Sequence, residues 1–223
     1  MLDVYLIRHA ESELNMQKQY VGGRSNHVPL SRNGNAQSIL LAKRLKSDRI
    51  LFDRVYCSTA KRAGQTAVPC CQEIGYPLDR IIYSEDTLEL DQGEWEGKLR
   101  TDVYTPEVIE QIKADQWNFA APGGESQRDV EDRMYDWIMK EIVAGYSPER
   151  DESIGIFGHG LAFKCLLRKI MDFDPRMTFK LVTDNASITQ LRYNQYGWNV
   201  LRINDYSHLQ DITIIRDRFA DGS

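Results

Sequence analysis

Three apolar runs in this 223-residue chain each lead into a residue that can handle an anion. Leu2-Asp3-Val4-Tyr5-Leu6-Ile7 runs into Arg8-His9. Arg54–Ser58 is followed by a segment whose first helical turn holds Arg62, and residues 153–157 run into Gly158-His159-Gly160. A guanidinium is always charged and forks onto phosphate or carboxylate oxygens, while imidazole can serve as nucleophile, acid or base near neutrality. The glycines beside His159 permit a tight turn and place its ring at a helix N-terminus, where free N–H groups and the dipole favour an anion. Strands that point the same way in a parallel sheet deliver such ends to one edge, where ligands of open α/β sheets bind. Arg8, His9, Arg62 and His159 are therefore expected to converge on one pocket. Its cationic lining suits a phosphoryl group, whose transfer depends on positioning and electrostatic stabilisation.

Metal-ligand spacings of the Cys-x2-Cys or His-x3–5-His kind are absent, so neither a metal nor any other cofactor is expected. Protonation of a leaving oxygen needs an acid. The segment Leu88-Glu89-Leu90-Asp91-Gln92-Gly93-Glu94-Trp95-Glu96-Gly97 offers several. Glu89 is flanked by Leu88 and Leu90, so it is the carboxyl that desolvation is expected to favour as an acid.

The pattern as a whole resembles the histidine phosphatase superfamily, the phosphoglycerate-mutase-like clan. The residues that carry the resemblance are ordered along about residues 1–205. They are Arg8-His9-Ala10-Glu11-Ser12 with Asn15, Pro29-Leu30-Ser31 through Gln37, Ser58 through Ala67, and Glu89 through Gly97. Pro122-Gly123-Gly124-Glu125-Ser126 with Arg133, Gly158-His159-Gly160, and Asn185-Ala186-Ser187-Ile188-Thr189 complete the series. The resemblance implies a three-layer α/β/α sandwich with a mostly parallel central sheet. It also implies His9 as a nucleophile that becomes phosphohistidine, with Arg8, Asn15, Arg62 and His159 on the phosphoryl oxygens and Glu89 as proton donor. Residues 98–121 are short compared with the insertion usual in mutases, and Gln92–Gly97 replaces the mutase-type Tyr-Gly-x-Leu-x-Gly. A phosphatase acting on a small phosphorylated metabolite is the first expectation. A phosphoglycerate mutase and a non-catalytic phospho-ligand module are the alternatives. Ala10 stands where the family usually has Gly, which requires a negative φ, and Phe157-Gly158 stand where it often has a hydroxyl residue.

The elements that must hold these groups are legible in part. Ser31 caps a helix reaching about Lys46, with Ile39, Leu40, Ala42 and Leu45 as its apolar face. A helix beginning near Ala60 is expected to kink or end at Pro69. Ser126 and Asp129 form a capping box ahead of a helix that buries Val130, Met134, Trp137, Ile138, Met139 and Ile142. Residues 186–193 and 198–203 read as a hairpin at the sheet edge. One domain is expected over residues 1–209, with 210–223 a tail of undecided role that could add an edge strand or join a second subunit.

A net charge of −5 argues against nucleic-acid or anionic-membrane partners, and no apolar stretch is long enough for a membrane span. Four cysteines in a chain of this size make no disulfide framework, and Cys70-Cys71 are too close for an ordinary bridge. A reducing cytoplasm is the expected compartment, and a homodimer is left open. Gly22, Gly23, Arg24 and Lys98 are expected at the substrate rim. Tyr20, Trp117 and Phe119 serve equally well as rim or as loop packing. His27 is expected in solvent or at the rim, and His208 in a structural role.

Overall fold

The computed structural model describes residues 1–210, and the tail beyond, 211–223, lies outside the described residues. The strands are β1 (Leu2–Arg8), β2 (Arg54–Ser58), β3 (Ile82–Ser84), β4 (Glu152–Gly158), β5 (Ile188–Asn194) and β6 (Gly197–Asp205). The helices are α1 (Glu13–Met16), α2 (Arg32–Ser47), α3 (Lys61–Ile74), α4 (Arg100–Val103), α5 (Pro106–Ala114), α6 (Gln127–Glu141) and α7 (Gly160–Met171). The sheet order is β3-β2-β4-β1-β5-β6. β1, β2, β3 and β4 are mutually parallel, whereas β5 pairs antiparallel with β1, and β6 antiparallel with β5, at one edge. This is the three-layer, mostly parallel sandwich expected from the sequence. Among the described residues, no helix is long and apolar enough to cross a membrane.

Strand alternation divides the core. Tyr5, Ile7, Val55, Cys57, Phe157 and Ile188 face α2 and α3, while Val4, Leu6, Tyr56, Ile154, Ile156 and Leu191 face α6 and α7. Both faces of the central strands are thus covered, which is why their sequences are nearly continuous apolar runs. Burial also makes register rigid, so the positions where β1, β2 and β4 stop are fixed by the whole core. A smaller cluster of Val21, Trp95, Val103 and Ala121 packs residues 98–121 against the loops. Behind the sheet, buried Glu131 of α6 accepts two hydrogen bonds from Arg168 of α7, tying these helices together.

Most expected elements form. Ser31 Oγ accepts from the Gly34 N–H, and the Ser126/Asp129 capping box is complete. The hairpin turns at residues 194–197. Ile39 is a correction, since it is 51% exposed. The buried face of α2 runs through Gly34, Gln37, Ser38, Leu41, Ala42 and Leu45. At helical spacing that stripe leaves Ile39 pointing outward. Pro69 does not end its helix, since α3 continues to Ile74. Ala67, Cys70 and Cys71 are buried against the core on either side of Pro69, and that packing outweighs the one backbone donor proline lacks. Strand β3, three residues long, has too little alternation to be read from sequence.

Candidate active site

β1, β2 and β4 end at the same edge, and the residues that follow carry the site. Arg8 closes β1, His9 comes next, Ser58 closes β2 and His159 follows β4 as the N-cap of α7. His9 and His159 are buried, 4% and 0% exposed, and their ring centroids lie 5.2 Å apart. The backbone of His9 is clasped on three sides. Its N–H donates to Gly158 O at 2.9 Å, and its carbonyl accepts from Ala186 N at 3.2 Å and Asn185 Nδ2 at 3.1 Å. Ala10 is buried, is absent from the positive-φ positions, and donates its N–H to Thr66 Oγ1 at 3.0 Å. A side chain is therefore tolerated where the family usually has Gly.

Hydrogen-bond partners fix the tautomers. His9 Nδ1 lies 2.7 Å from Ala10 O, which can only accept, so Nδ1 carries the proton and Nε2 the lone pair. Arg62 Nε donates to that lone pair at 3.2 Å. Arg62 NH2 lies 3.0 Å from His159 Nδ1, which must accept, so His159 Nε2–H donates to Ser58 Oγ at 2.8 Å. Burial first, then the charges of Arg62 and Arg8, hold the His9 pKa well below the ordinary imidazole value. The same burial and Arg62, followed by His9 and Arg8, do so for His159. Two neutral rings next to two cations thus result from desolvation and like-charge repulsion.

Arg62 is 4% exposed and stitches the pocket to its rim. Its remaining donors meet the carbonyls of Arg24 at 2.9 Å, Ser25 at 3.0 Å and Gly23 at 3.2 Å, so all five N–H groups are engaged. An incoming anion must therefore take over the donors now turned on the imidazoles. Arg8 differs: NH1 donates to Thr183 O, while its buried Nε has no partner. Asn15 Oδ1 accepts from Ser12 N and Oγ, both at 2.9 Å, and from Asn185 Nδ2 at 3.3 Å. Its Nδ2 is the end left for a ligand.

Glu89 sits half-buried opposite these cations. Oε1 accepts from Leu90 N and Ala162 N, both at 2.9 Å, and Oε2 accepts from Leu161 N at 3.0 Å. The apolar flanks Leu88 and Leu90 suggested a desolvated carboxyl. In the fold those leucines turn into the core, and Glu89 itself meets backbone donors at the start of α7.

The expected rim divides. A Cβ on Gly23 would fall 2.2 Å from Glu96 Oε1 and 3.0 Å from Gln92 Cβ, so a side chain there would displace the Glu96 carboxylate. That carboxylate accepts from Arg24 N, Ser25 N, Ser25 Oγ and Gln92 N, and so shapes residues 22–25. Arg24 is paired with Glu125 at 3.1 Å and Asp91 at 3.5 Å. Gly22 is half-buried against Leu14, while Lys98 and His27 are exposed. The guanidinium groups of Arg128 and Arg168 both stand against the Trp117 ring, and Phe119 packs on Trp95, so both aromatic residues serve as packing. His208 is half-buried, with burial lowering its pKa to about 4. The four cysteines are buried thiols, and burial pushes Cys71 up to about 12. Among the described residues, no three His, Cys, Asp or Glu side chains gather as a metal site would require.

Ser58, Thr66, Glu96 and Asn185 were not singled out as functional by sequence. Ser58 had a signal, a hydroxyl at a strand end on the pocket edge. Glu96 looked like one more loop acid, and its role depends on a loop distant in sequence.

A family model described as histidine phosphatase superfamily (branch 1) matches residues 4–206. A protein of Salmonella choleraesuis named probable phosphoglycerate mutase GpmB is 28% identical over 219 residues, covering 94% of this chain and 95% of its own. The 2,3-bisphosphoglycerate-dependent phosphoglycerate mutase of Bartonella tribocorum is 29% identical over 164 residues, 73% of this chain and 78% of that one. The solved structure of mycobacterial glucosyl-3-phosphoglycerate phosphatase with VO3 matches at a TM-score of 0.76 and 25% identity, covering 91% of this chain and 98% of that one. A phosphoserine phosphatase mutant from Entamoeba histolytica, in complex with phosphoserine, shares the fold at a TM-score of 0.79 and 21% identity, with coverage of 94% and 100%.

Proposed function

The chain belongs to the histidine phosphatase superfamily, and on that premise we propose that it is a metal-independent phosphomonoesterase working through phosphohistidine on a small phosphorylated metabolite. One observation carries the reading. The proton of His9 is held on Nδ1 by Ala10 O, so Nε2 presents its lone pair to the pocket between Arg8, Arg62 and His159. In the proposed reaction the phosphoryl oxygens draw Arg62 away from the imidazoles, and Arg8 Nε and Asn15 Nδ2 join it on the anion. His9 Nε2 attacks phosphorus as the P–O bond to the leaving group breaks, and Glu89 delivers a proton to the departing alkoxide. Water then attacks phosphorus, giving its proton to the Glu89 carboxylate, and the P–N bond breaks to return neutral His9 and inorganic phosphate. His159 and the guanidinium groups offset charge on the equatorial oxygens throughout.

Brief exposure to 32P-labelled substrate followed by denaturation should leave acid-labile label on His9. His9→Ala should lose both the label and nearly all turnover. Label on His159 would reverse the assignment of the two rings. Similarity to proteins named as phosphoglycerate mutases favours a second reading, in which the phosphohistidine returns its phosphoryl group to glycerate. The compact segment 98–121, packed by Trp95 and Val103, favours hydrolysis. Following label from 3-phosphoglycerate separates the readings: inorganic phosphate supports the first, and 2-phosphoglycerate supports the second.

A further inference from the structure

Strands β5 and β6 pair with an irregularity. Ile188 faces Asp205 and Gln190 faces Arg202, so Thr189 is opposed by two residues, Ile203 and Asn204. Asn204 has φ +54°, a left-handed conformation that asparagine accepts more readily than most residues with a side chain. From there its carboxamide meets Asp184. The Asp184 N–H, which can only donate, lies 2.5 Å from Asn204 Oδ1, and that fixes the amide so that Nδ2 donates to Asp184 Oδ2 at 2.8 Å. Asn204 N donates to Thr189 Oγ1 at 3.1 Å, which anchors the bulge on β5. Asp184 belongs to the turn 183–187, and that turn reaches three groups of the pocket. Thr183 O accepts from Arg8 NH1, and Ser187 O accepts from the Arg8 N–H at 3.1 Å. Ala186 N and Asn185 Nδ2 both donate to the His9 carbonyl, and Asn185 Nδ2 also meets Asn15 Oδ1 at 3.3 Å. Ala186 is buried with φ +55°, a conformation unfavourable for alanine that persists only where its neighbours hold it.

We propose that Asn204 is a positioning residue for phosphoryl transfer. It acts through Asp184, holding the turn that sets Arg8, His9 and Asn15. The proposal rests on the phosphohistidine reading and extends the supports of that site from β1 across β5 to β6. The pairing is specific to an amide at this position. Aspartate at 204 would still accept from the Asp184 N–H but would set a second carboxylate against the first.

The test is Asn204→Asp, assayed with p-nitrophenyl phosphate and with vanadate as inhibitor. KM and the vanadate inhibition constant should each rise on the order of 10-fold as Arg8 and Asn15 shift, and kcat should fall on the order of 10-fold as His9 does. A role confined to stability would lower kcat through the unfolded fraction and leave KM and the vanadate constant where they were. That result would overturn the proposal and leave the phosphatase reading intact. Combining Asp184→Asn with Asn204→Asp exchanges donor and acceptor, so the double variant should recover most of the loss, and no recovery would equally overturn the proposal. Asn204→Gly accepts φ +54° and removes both side-chain bonds. It replaces Asn204→Asp if that chain does not fold, with the same rise in KM and the vanadate constant expected. A wild type that forms no phosphohistidine would remove the underlying reading and the proposal with it.

Discussion

Glu89→Gln should affect stability and leaving-group dependence separately. The carboxylate accepts three backbone N–H bonds, two on Oε1 and one on Oε2. An amide can keep only one oxygen, so the less costly orientation retains the pair from Leu90 and Ala162 and turns its NH2 toward the Leu161 N–H. That loses one charge-assisted bond and leaves a helix-terminal donor facing another donor, a cost of about 1.5–3 kcal/mol. For a domain of this size the melting temperature should fall by about 3–12 °C. Turnover of an alkyl phosphate such as glycerol 3-phosphate should fall on the order of 10²–10⁴-fold, the range of acid catalysis. p-Nitrophenolate leaves without a proton, so its phosphate ester should lose far less. Calorimetry and parallel assays at a temperature where both proteins are folded separate the effects, and burst kinetics show whether dephosphorylation also slows. Asp91→Asn, Glu94→Gln and Glu96→Gln are the controls. If Glu89→Gln slows both substrates equally while a control shows the leaving-group dependence, the proton donor is misassigned. An unchanged melting temperature would refute the anchoring argument.

Three further outcomes are expected. His9 and His159 both have pKa values below their unfolded 6.5, so the unfolded chain binds more protons than the folded one as pH falls below that value. Stability is therefore retained above about pH 6.5 and should decline below it by up to about 2.7 kcal/mol per pH unit for the two rings together. Urea titrations at pH 8, 6.5 and 5.5 measure this, and equal stability at the last two would contradict it. Gly160→Ala should keep α7 but press on Arg8, reducing kcat/KM on the order of 10- to 100-fold with little change in melting temperature; full activity would count against the crowding. Activity should persist in EDTA and be inhibited by vanadate, and restoration by Mg²⁺ or Zn²⁺ after chelation would contradict the metal-independent reading.

The sequence showed most clearly what local chemistry dictates. The apolar runs of β1 and β4, the Ser31 and Ser126 caps, and glycines around His159 are signals carried within a few residues. Packing across the sheet is not local, and that is where the reading failed. Ile39 belongs to an apolar-looking stretch, yet polar Gln37 and Ser38 take the buried side because Gln37 Oε1 accepts from Glu11 N and Ser38 packs beneath α3. Pro69 carries a local signal to stop that buried neighbours override. Within the site, Arg8, His9, Arg62, Glu89 and His159 were visible as residue types at strand and loop ends. Ser58 and Asn185 were harder to see as site residues, because each acts by holding a group more than a hundred positions away.

That separation bears on how the protein acquires its activity. Arg8 is tied to Thr183, and the carbonyl of His9 to Asn185, across sequence separations of 175 and 176 residues. Closing loops of that length is among the slower events of folding, since entropy is lost before the contacts form. A nascent chain that stops short of Asn185 lacks both donors to the His9 carbonyl, however complete its α2–α3 layer. Catalysis should therefore appear abruptly and late in refolding, after helical content has recovered, and serve as a sensitive report that β1 has met the segment leading into β5.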